Sequence, residues 1–396
     1  MKYHRREQLA LAVLLALLQA SAQAAPIAPR RPARAPTPQV TVVRLPEGCL
    51  VPDVAVDAQG TVHLVYGRDH NAYYQSSSDD GRTFSEPVRV NSSGTVETEM
   101  GERGPKLALG RGGSVHVVWA DDWQPGVKTY VRCARSVDGG RSFEARKTLS
   151  AMSGVDGVTL AADPQGNVAA FWHVMADPEP AEPQATWLHE ARSADNGATF
   201  TPGRRVIPKG HSGLACSMCM MRARMDGKGR VMLALRSAER SVRDFYLLEG
   251  SSAGGPLTAH RVNDDNWVLP ICPMCGPELT RAPGGGLIVA FMSRHRAYWS
   301  VGDAEGGRFR VHAATPGGEE DEIYPSAVAN RRGDVLFLWQ VGPMATDRTA
   351  TVKWALYSAG GRFTGRQGTV GTTTSGTKAT AFVGRDGGFR ILTTAK

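Results

Sequence analysis

Short apolar runs, each entered through a glycine, recur from one end of the chain to the other. They span residues 60–66, 113–119, 166–172, 229–235, 286–291, 333–339 and 388–392. All are rich in β-branched and aromatic residues and short enough to be strands, and no helical period lies between them. In the first three units the next apolar segment, at 72–77, 130–136 and 187–193, leads into a polar turn with a fixed skeleton. The copies are Ser77-Ser78-Asp79-Asp80-Gly81-Arg82-Thr83-Phe84, Ser136-Val137-Asp138-Gly139-Gly140-Arg141-Ser142-Phe143 and Ser193-Ala194-Asp195-Asn196-Gly197-Ala198-Thr199-Phe200. Later turns decay: Ala253 stands where the Asp is expected in 251–257, and 300–309 and 358–363 keep only the outer elements. A further strand, such as 87–90, leaves each turn. Four antiparallel strands per unit, repeated around an axis, predict an all-β protein of the β-propeller type, because one such unit cannot bury its apolar face alone.

The count of units decides how the ring closes. Seven first-and-second strand pairs are visible but only six third-and-fourth pairs, and the last unit, about 377–393, is half a blade. The strand at 40–44 is left over. Pairing it with the last unit stitches the ring shut and removes its open edges. This predicts seven blades, with six as the rival if the terminal strands share a blade.

Upstream of that strand the pattern changes. Lys2, Arg5 and Arg6 form a basic start, residues 9–18 are uninterruptedly apolar, and Ala22-Gln23-Ala24 offers a small-x-small cleavage site. The expectation is a secretory signal peptide over 1–24 and a periplasmic or secreted protein; ten apolar residues are too few to span a bilayer. Residues 25–37, built of Ala, Pro and Arg, read as a disordered lead-in, and 38–396 as a single propeller domain. The formal charge of +8 falls to about +6 once Lys2, Arg5, Arg6 and Glu7 are removed. No dense basic stripe interleaved with aromatics is present, which argues against a nucleic-acid partner. A monomer is expected, with an unidentified protein or small ligand docking at the channel mouth.

The polar turns resemble the Asp-box (BNR) repeats of sialidase-like propellers, and the resemblance covers nearly all of 38–396. It implies the superfamily fold, with the boxes on the face opposite the active site. Asp79, Asp138 and Asp195, with Ser77, Ser136 and Ser193 and with Gly81, Gly140 and Gly197, are then structural: the carboxylate accepts backbone N–H bonds within a tight turn and glycine takes the left-handed position. The resemblance also implies an arginine triad for a carboxylate, a Tyr–Glu nucleophile pair and an acid/base Asp. The segment matching the first arginine is Leu50-Val51-Pro52, and an apolar Leu50 cannot hold a carboxylate. That departure points to a non-sialidase member. If the chain is a hydrolase, its candidate residues are Arg68, Arg236, Arg294, Glu322 and Tyr324.

Six cysteines remain after the expected cleavage, and four form two matching tetrapeptides, Cys216-Ser217-Met218-Cys219 and Cys272-Pro273-Met274-Cys275. Both precede the inner strand of successive units, so the repeat brings them together at the mouth of the channel. Disulfides in an oxidising compartment are one reading. A soft-metal site is the other: four thiolates suit zinc or copper(I), and Met218, Met220, Met221, Met225 and Met274 favour copper(I), with zinc as second choice. Thiol redox exchange is a third. His211, five residues before Cys216, is a candidate additional ligand. His70, Trp123, His173 and His295 follow second strands and line the same mouth, while Cys49 and Cys133 stand alone; the acidic run from Glu319 to Glu322 reads as a solvated loop. The leading expectation is an exported, non-catalytic binding or accessory propeller carrying a Cys/Met metal site. The alternatives are a sialidase-type exo-glycoside hydrolase and a disulfide-stabilised protein–protein interaction propeller.

Overall fold

The computed structural model describes residues 37–394 except 93–95, 99–100, 123–126, 153, 176–180, 182–183, 304–306, 314–317, 319–320, 344–348 and 375–376. The expected signal peptide, nearly all of the lead-in, and Trp123, Glu319 and Glu320 lie outside the described residues.

Each predicted unit is an antiparallel meander. After β1 (Val40–Arg44), blade one runs β2 (Leu50–Val56), β3 (Val62–Arg68), β4 (Asn71–Ser77) and β5 (Val88–Arg89). Blade two is β6 (Lys106–Leu109), β7 (Val115–Ala120), β8 (Thr129–Ser136) and β9 (Lys147–Met152). Blade three is β10 (Val155–Ala162), β11 (Val168–Val174), β12 (Ala185–Ser193) and β13 (Arg204–Arg205), with β14 (Leu214–Cys216) added on β12. Blade four is β15 (Arg222–Met225), β16 (Arg230–Arg236), β17 (Phe245–Ser251) and β18 (Thr258–Arg261). Blade five is β19 (Glu278–Arg281), β20 (Leu287–Ser293), β21 (Arg296–Gly302) and β22 (Phe309–Ala313). Blade six is β23 (Glu322–Ala329), β24 (Val335–Val341), β25 (Thr349–Tyr357) and β26 (Phe363–Thr374).

The seventh sheet is the closure. β27 (Thr380–Val383) and β28 (Phe389–Thr393) supply two strands, and β1 pairs parallel to β28, Val40 opposite Phe389 through Arg44 opposite Thr393. β27 packs against both β23 and β2, so seven inner strands complete the ring. Seven blades are therefore present, and the leftover N-terminal strand fills the half blade as its length and pattern required.

The core lies between blades. Second strands bury both faces, as a strand sandwiched by neighbouring sheets must; Trp172 of β11 and Phe171 beside it face different apolar clusters. The Asp-box turns feed the same layers. Ser77 Oγ donates to Asp79 Oδ1 (2.7 Å), Gly81 N–H donates to Ser77 Oγ (2.9 Å), and Thr83 donates to Asp79 from its N–H (2.9 Å) and its hydroxyl (2.6 Å). The same bonds recur at Ser136, Asp138, Gly140 and Ser142 and at Ser193, Asp195, Gly197 and Thr199. Phe84, Phe143 and Phe200 then pack into three successive inter-blade clusters. Gly140 is required twice over: its φ is +91°, and a Cβ there would lie 2.0 Å from the Tyr74 ring of blade one.

Candidate metal centre

The loops that carry the cysteines are pinned before they reach the ligand face. Cys216 ends β14, whose pairing with the start of β12 sets Cys216 opposite Ala185. Cys219 N–H donates to the Cys216 carbonyl (3.3 Å), closing the first tetrapeptide into a turn. In the second, Met274 N–H donates to Cys272 Sγ (3.3 Å). Gly276 lets the motifs meet, because a Cβ there would stand 2.3 Å from the Met220 carbonyl oxygen.

Three sulfurs converge as a result. Cys216 Sγ lies 3.1 Å from Cys272 Sγ, and Cys219 Sγ lies 3.5 Å from each of them. All three are buried, Cys272 being 8% exposed, and none of the six cysteines is in a disulfide. Met218 and Met274 pack against the trio. These separations exceed the roughly 2 Å of a disulfide. They fall about 0.3 to 0.7 Å short of the roughly 3.8 Å that two sulfurs keep around a tetrahedral ion at about 2.3 Å each.

The electrostatics favour charge on one sulfur. Burial raises a thiol's pKa, yet Cys219 is held well below its ordinary value. Hydrogen bonds from Cys216 and Cys272, the nearby Arg236 guanidinium and the Cys275 N–H more than offset its desolvation. Cys216 and Cys272 are pushed up, by burial first and then by the neighbouring sulfurs, Cys219 for Cys216 and both others for Cys272. Negative charge is therefore favoured on Cys219 over its two neighbours, and three converging sulfurs are a donor set suited to a soft ion.

The fourth cysteine of the sequence-predicted site is turned away. Cys275 Sγ accepts the Tyr324 N–H (3.3 Å) and packs with Trp267, Met292 and Ile323. Its backbone serves the cluster, while its side chain stands outside the group of three. His211 is buried but occupied: Nε2 lies 3.2 Å from Ser237 Oγ, and Nδ1 accepts the Gly213 N–H (3.0 Å). Met221 packs into the core between blades three and four, with Met225 against it, and Met220 abuts Gly276. Cys49 and Cys133 are isolated, and burial lifts their thiols to about 11 and about 12.

The hydrolase candidates take up individual roles. Arg236 is fully buried and donates to the carbonyls of Arg243 (2.9 Å), Cys275 (2.9 Å) and Met292 (2.7 Å). Arg68 stacks over Tyr73, 4.6 Å from the ring centre. Arg294, at φ +50°, donates to the Asp265 carbonyl (3.0 Å). Glu322 is buried and accepts the Ala297 N–H (2.8 Å). Tyr324 sits at a bulge of β23 and is kept protonated by burial first and then by the nearby Glu102 carboxylate. Leu50 and Val51 occupy a similar bulge at the start of β2.

Several residues at this mouth carry no sequence motif. Arg103 makes a two-pronged ion pair with Asp156 and lies beside Cys272. His173 is buried, and desolvation lowers its proton affinity against the weaker opposing effects of Asp156, Cys219 and Ser217. Asp53, Lys106, Arg222, Glu278 and Lys378 all sit at the starts of inner strands, a recurrence that was available from the repeat. Arg222 bridges Asp53 and Glu278, and Lys378 Nζ bridges Glu102 (2.8 Å) and Glu278 (2.9 Å).

No known family matches the sequence, and no curated protein matches it. Solved structures match its fold. An α-L-arabinanase of Penicillium chrysogenum superposes with a TM-score of 0.56 at 14% identity, over 82% of this chain and 99% of that one. A GH93 α-L-arabinofuranosidase of Fusarium graminearum gives 0.55 at 13%, over 82% and 98%. The NanB sialidase of Streptococcus pneumoniae gives 0.53 at 8%, over 85% and 81%. At such identities the likeness defines the class of architecture: a propeller of the kind several carbohydrate-acting enzymes use.

Proposed function

We propose that this chain is an exported propeller whose task is to bind a soft metal ion through Cys216, Cys219 and Cys272, copper(I) in preference to zinc. The carrying observation is the count. A disulfide consumes two sulfurs, whereas three converge in one buried pocket, and an ion uses all three. The Met218 and Met274 thioethers beside the trio favour the softer, monovalent ion. Export rests on the basic and apolar N-terminal pattern. The test is elemental analysis with thiol counting on protein kept reduced and metal-replete. About one copper per chain, lost in Cys216→Ser and Cys272→Ser but retained in Cys275→Ser, is the expected result. Metal-free protein that takes up no ion after gentle reduction would overturn it and leave the disulfide-stabilised interaction propeller. One zinc would refute only the choice of ion.

A second reading, a glycoside hydrolase within the sialidase-like Asp-box group, draws on the carbohydrate-acting propellers that share the fold and on the Asp-box turns. Its specific anchor is Tyr324, buried at the mouth beside Glu102. Release of a fluorophore from sialoside or α-L-arabinofuranoside substrates, abolished in Tyr324→Phe, would establish it. Activity indifferent to that substitution would remove Tyr324 from the chemistry.

A further inference from the structure

We propose that the central channel is a binding site for a small organic acid, entered from the Asp-box face, with Arg224 receiving the carboxylate. This site is separate from the cysteines and does not depend on them.

The channel is closed at one end and open at the other. Near the ligand face the ion pairs of Asp53, Arg222, Glu278, Lys378 and Glu102 join inner strands across the axis. On the Asp-box side a cavity of about 570 Å3 opens between the turns 57–60, 329–332 and 384–387. Deeper, a cavity of about 310 Å3 reaches Arg222 and Glu278, with a side space of about 180 Å3 toward β6 and β10. The deeper volume lies within the range of small-molecule pockets.

Charge at the closed end does not balance. Lys106, Arg222, Arg224 and Lys378 are four cations, and Asp53, Glu102 and Glu278 are three carboxylates. Arg222 and Lys378 hold all three of those carboxylates. Lys106 Nζ is left with the Glu102 backbone carbonyl (3.3 Å). Arg224 donates Nε–H to the Leu279 carbonyl (3.1 Å) and lines both deep cavities. Among the described residues its two terminal nitrogens have no protein acceptor. The Arg224 guanidinium is half-buried and feels the charges of Asp53 and Glu278, but Arg222 already holds both carboxylates, so an anion in the cavity would give Arg224 a partner of its own. Burial and the repulsion of Arg222 pull Arg224 down to about 10, as expected of a cation awaiting a partner.

The walls choose the anion. Thr280, Ser326 and Thr380 offer hydroxyls, and Val54, Ala55, Val328, Ala381 and Phe382 form apolar walls. One excess positive charge against an aliphatic wall fits a monocarboxylate with a short carbon tail better than a hydrated dianion such as phosphate.

Calorimetric titration with hexanoate, hexan-1-ol and inorganic phosphate tests the proposal on the whole chain. Hexanoate is expected to bind, the neutral alcohol to fail, and Arg224→Gln to weaken hexanoate roughly tenfold to a hundredfold. Ala55→Phe, which fills the cavity and leaves the charge, is expected to abolish binding. Without ligand, Arg224→Gln is expected to melt no lower than the parent, which separates a ligand role from a structural one. No binding of hexanoate up to about 10 mM, binding unchanged in Arg224→Gln, or phosphate binding where hexanoate fails would each overturn it.

Discussion

Gly276 shows how one absent side chain decides a site. Its Cα approaches the Met220 backbone so closely that any Cβ must push the two cysteine motifs apart. Gly276→Ala is expected to cost about 1–3 kcal/mol through overpacking and to speed the reaction of the trio with a thiol reagent. Unchanged melting together with unchanged thiol reactivity would show that the approach is not needed. Asp79 is a residue of the opposite kind, half-buried and purely local. Thr83 and Ser77 hold its carboxylate far below the ordinary carboxylate range. Asp79→Ala is therefore expected to lower the melting midpoint by about 1–3 °C and to leave metal content unchanged. The sequence pattern identified this residue because the whole device lies within eight consecutive positions.

At the scale of elements, the inner strands matter most, since their first residues carry both the ion network and the bulges. β2, β10 and β23 each shift register near their start, at Val51, Gly157 and Tyr324, where φ is positive. A bulge re-aims the side chains that follow it, and in β2 the next residues are Pro52 and Asp53, which reaches Arg222. Glu278, at the head of β19, is the hub. Burial alone would raise its pKa, but Arg222 and Lys378 outweigh this and hold it down at about 2. A carboxylate depressed in the folded state stabilises fully above its unfolded pKa. That contribution is lost as pH falls from about 4.5 toward 2. Glu278→Gln, which leaves Arg222 with Asp53 alone and Lys378 with Glu102 alone, is expected to cost about 1–3 kcal/mol at neutral pH and to flatten the acid limb of the melting profile. An acid limb that keeps its slope would place the titration elsewhere.

For the whole molecule, closure is the controlling event. Five residues of β1 pair with β28, and without them that blade has two strands and a bare edge. Deleting everything before Leu45 is expected to lower the melting midpoint by roughly 10 °C or more and to promote association. A peptide covering 38–45 added in trans should recover part of the loss. A truncated chain that melts like the parent would show that the ring does not depend on its N-terminal strand.

The sequence by itself determined what repeats and what is local. Strand lengths, the three Asp boxes and the repeat of four-stranded units follow from periodicity, because each unit buries its faces only against its neighbours. Periodicity favours seven blades with six as the rival, and the pairing of β1 with β28 decides the count. The repeat also placed both cysteine motifs at one mouth, which fixed the neighbourhood of the site. It did not fix which way each sulfur points. Cys275 turns toward Tyr324 and away from the trio, His211 is engaged by Ser237 and Gly213, and Arg236 is spent on backbone carbonyls. Apart from the local His211–Gly213 bond, those outcomes depend on contacts between residues 26 to 56 positions apart. The channel was equally hidden. Its charged groups come from five inner strands and their loops, no two sharing a motif, and only the closed ring sets four cations against three carboxylates around one axis.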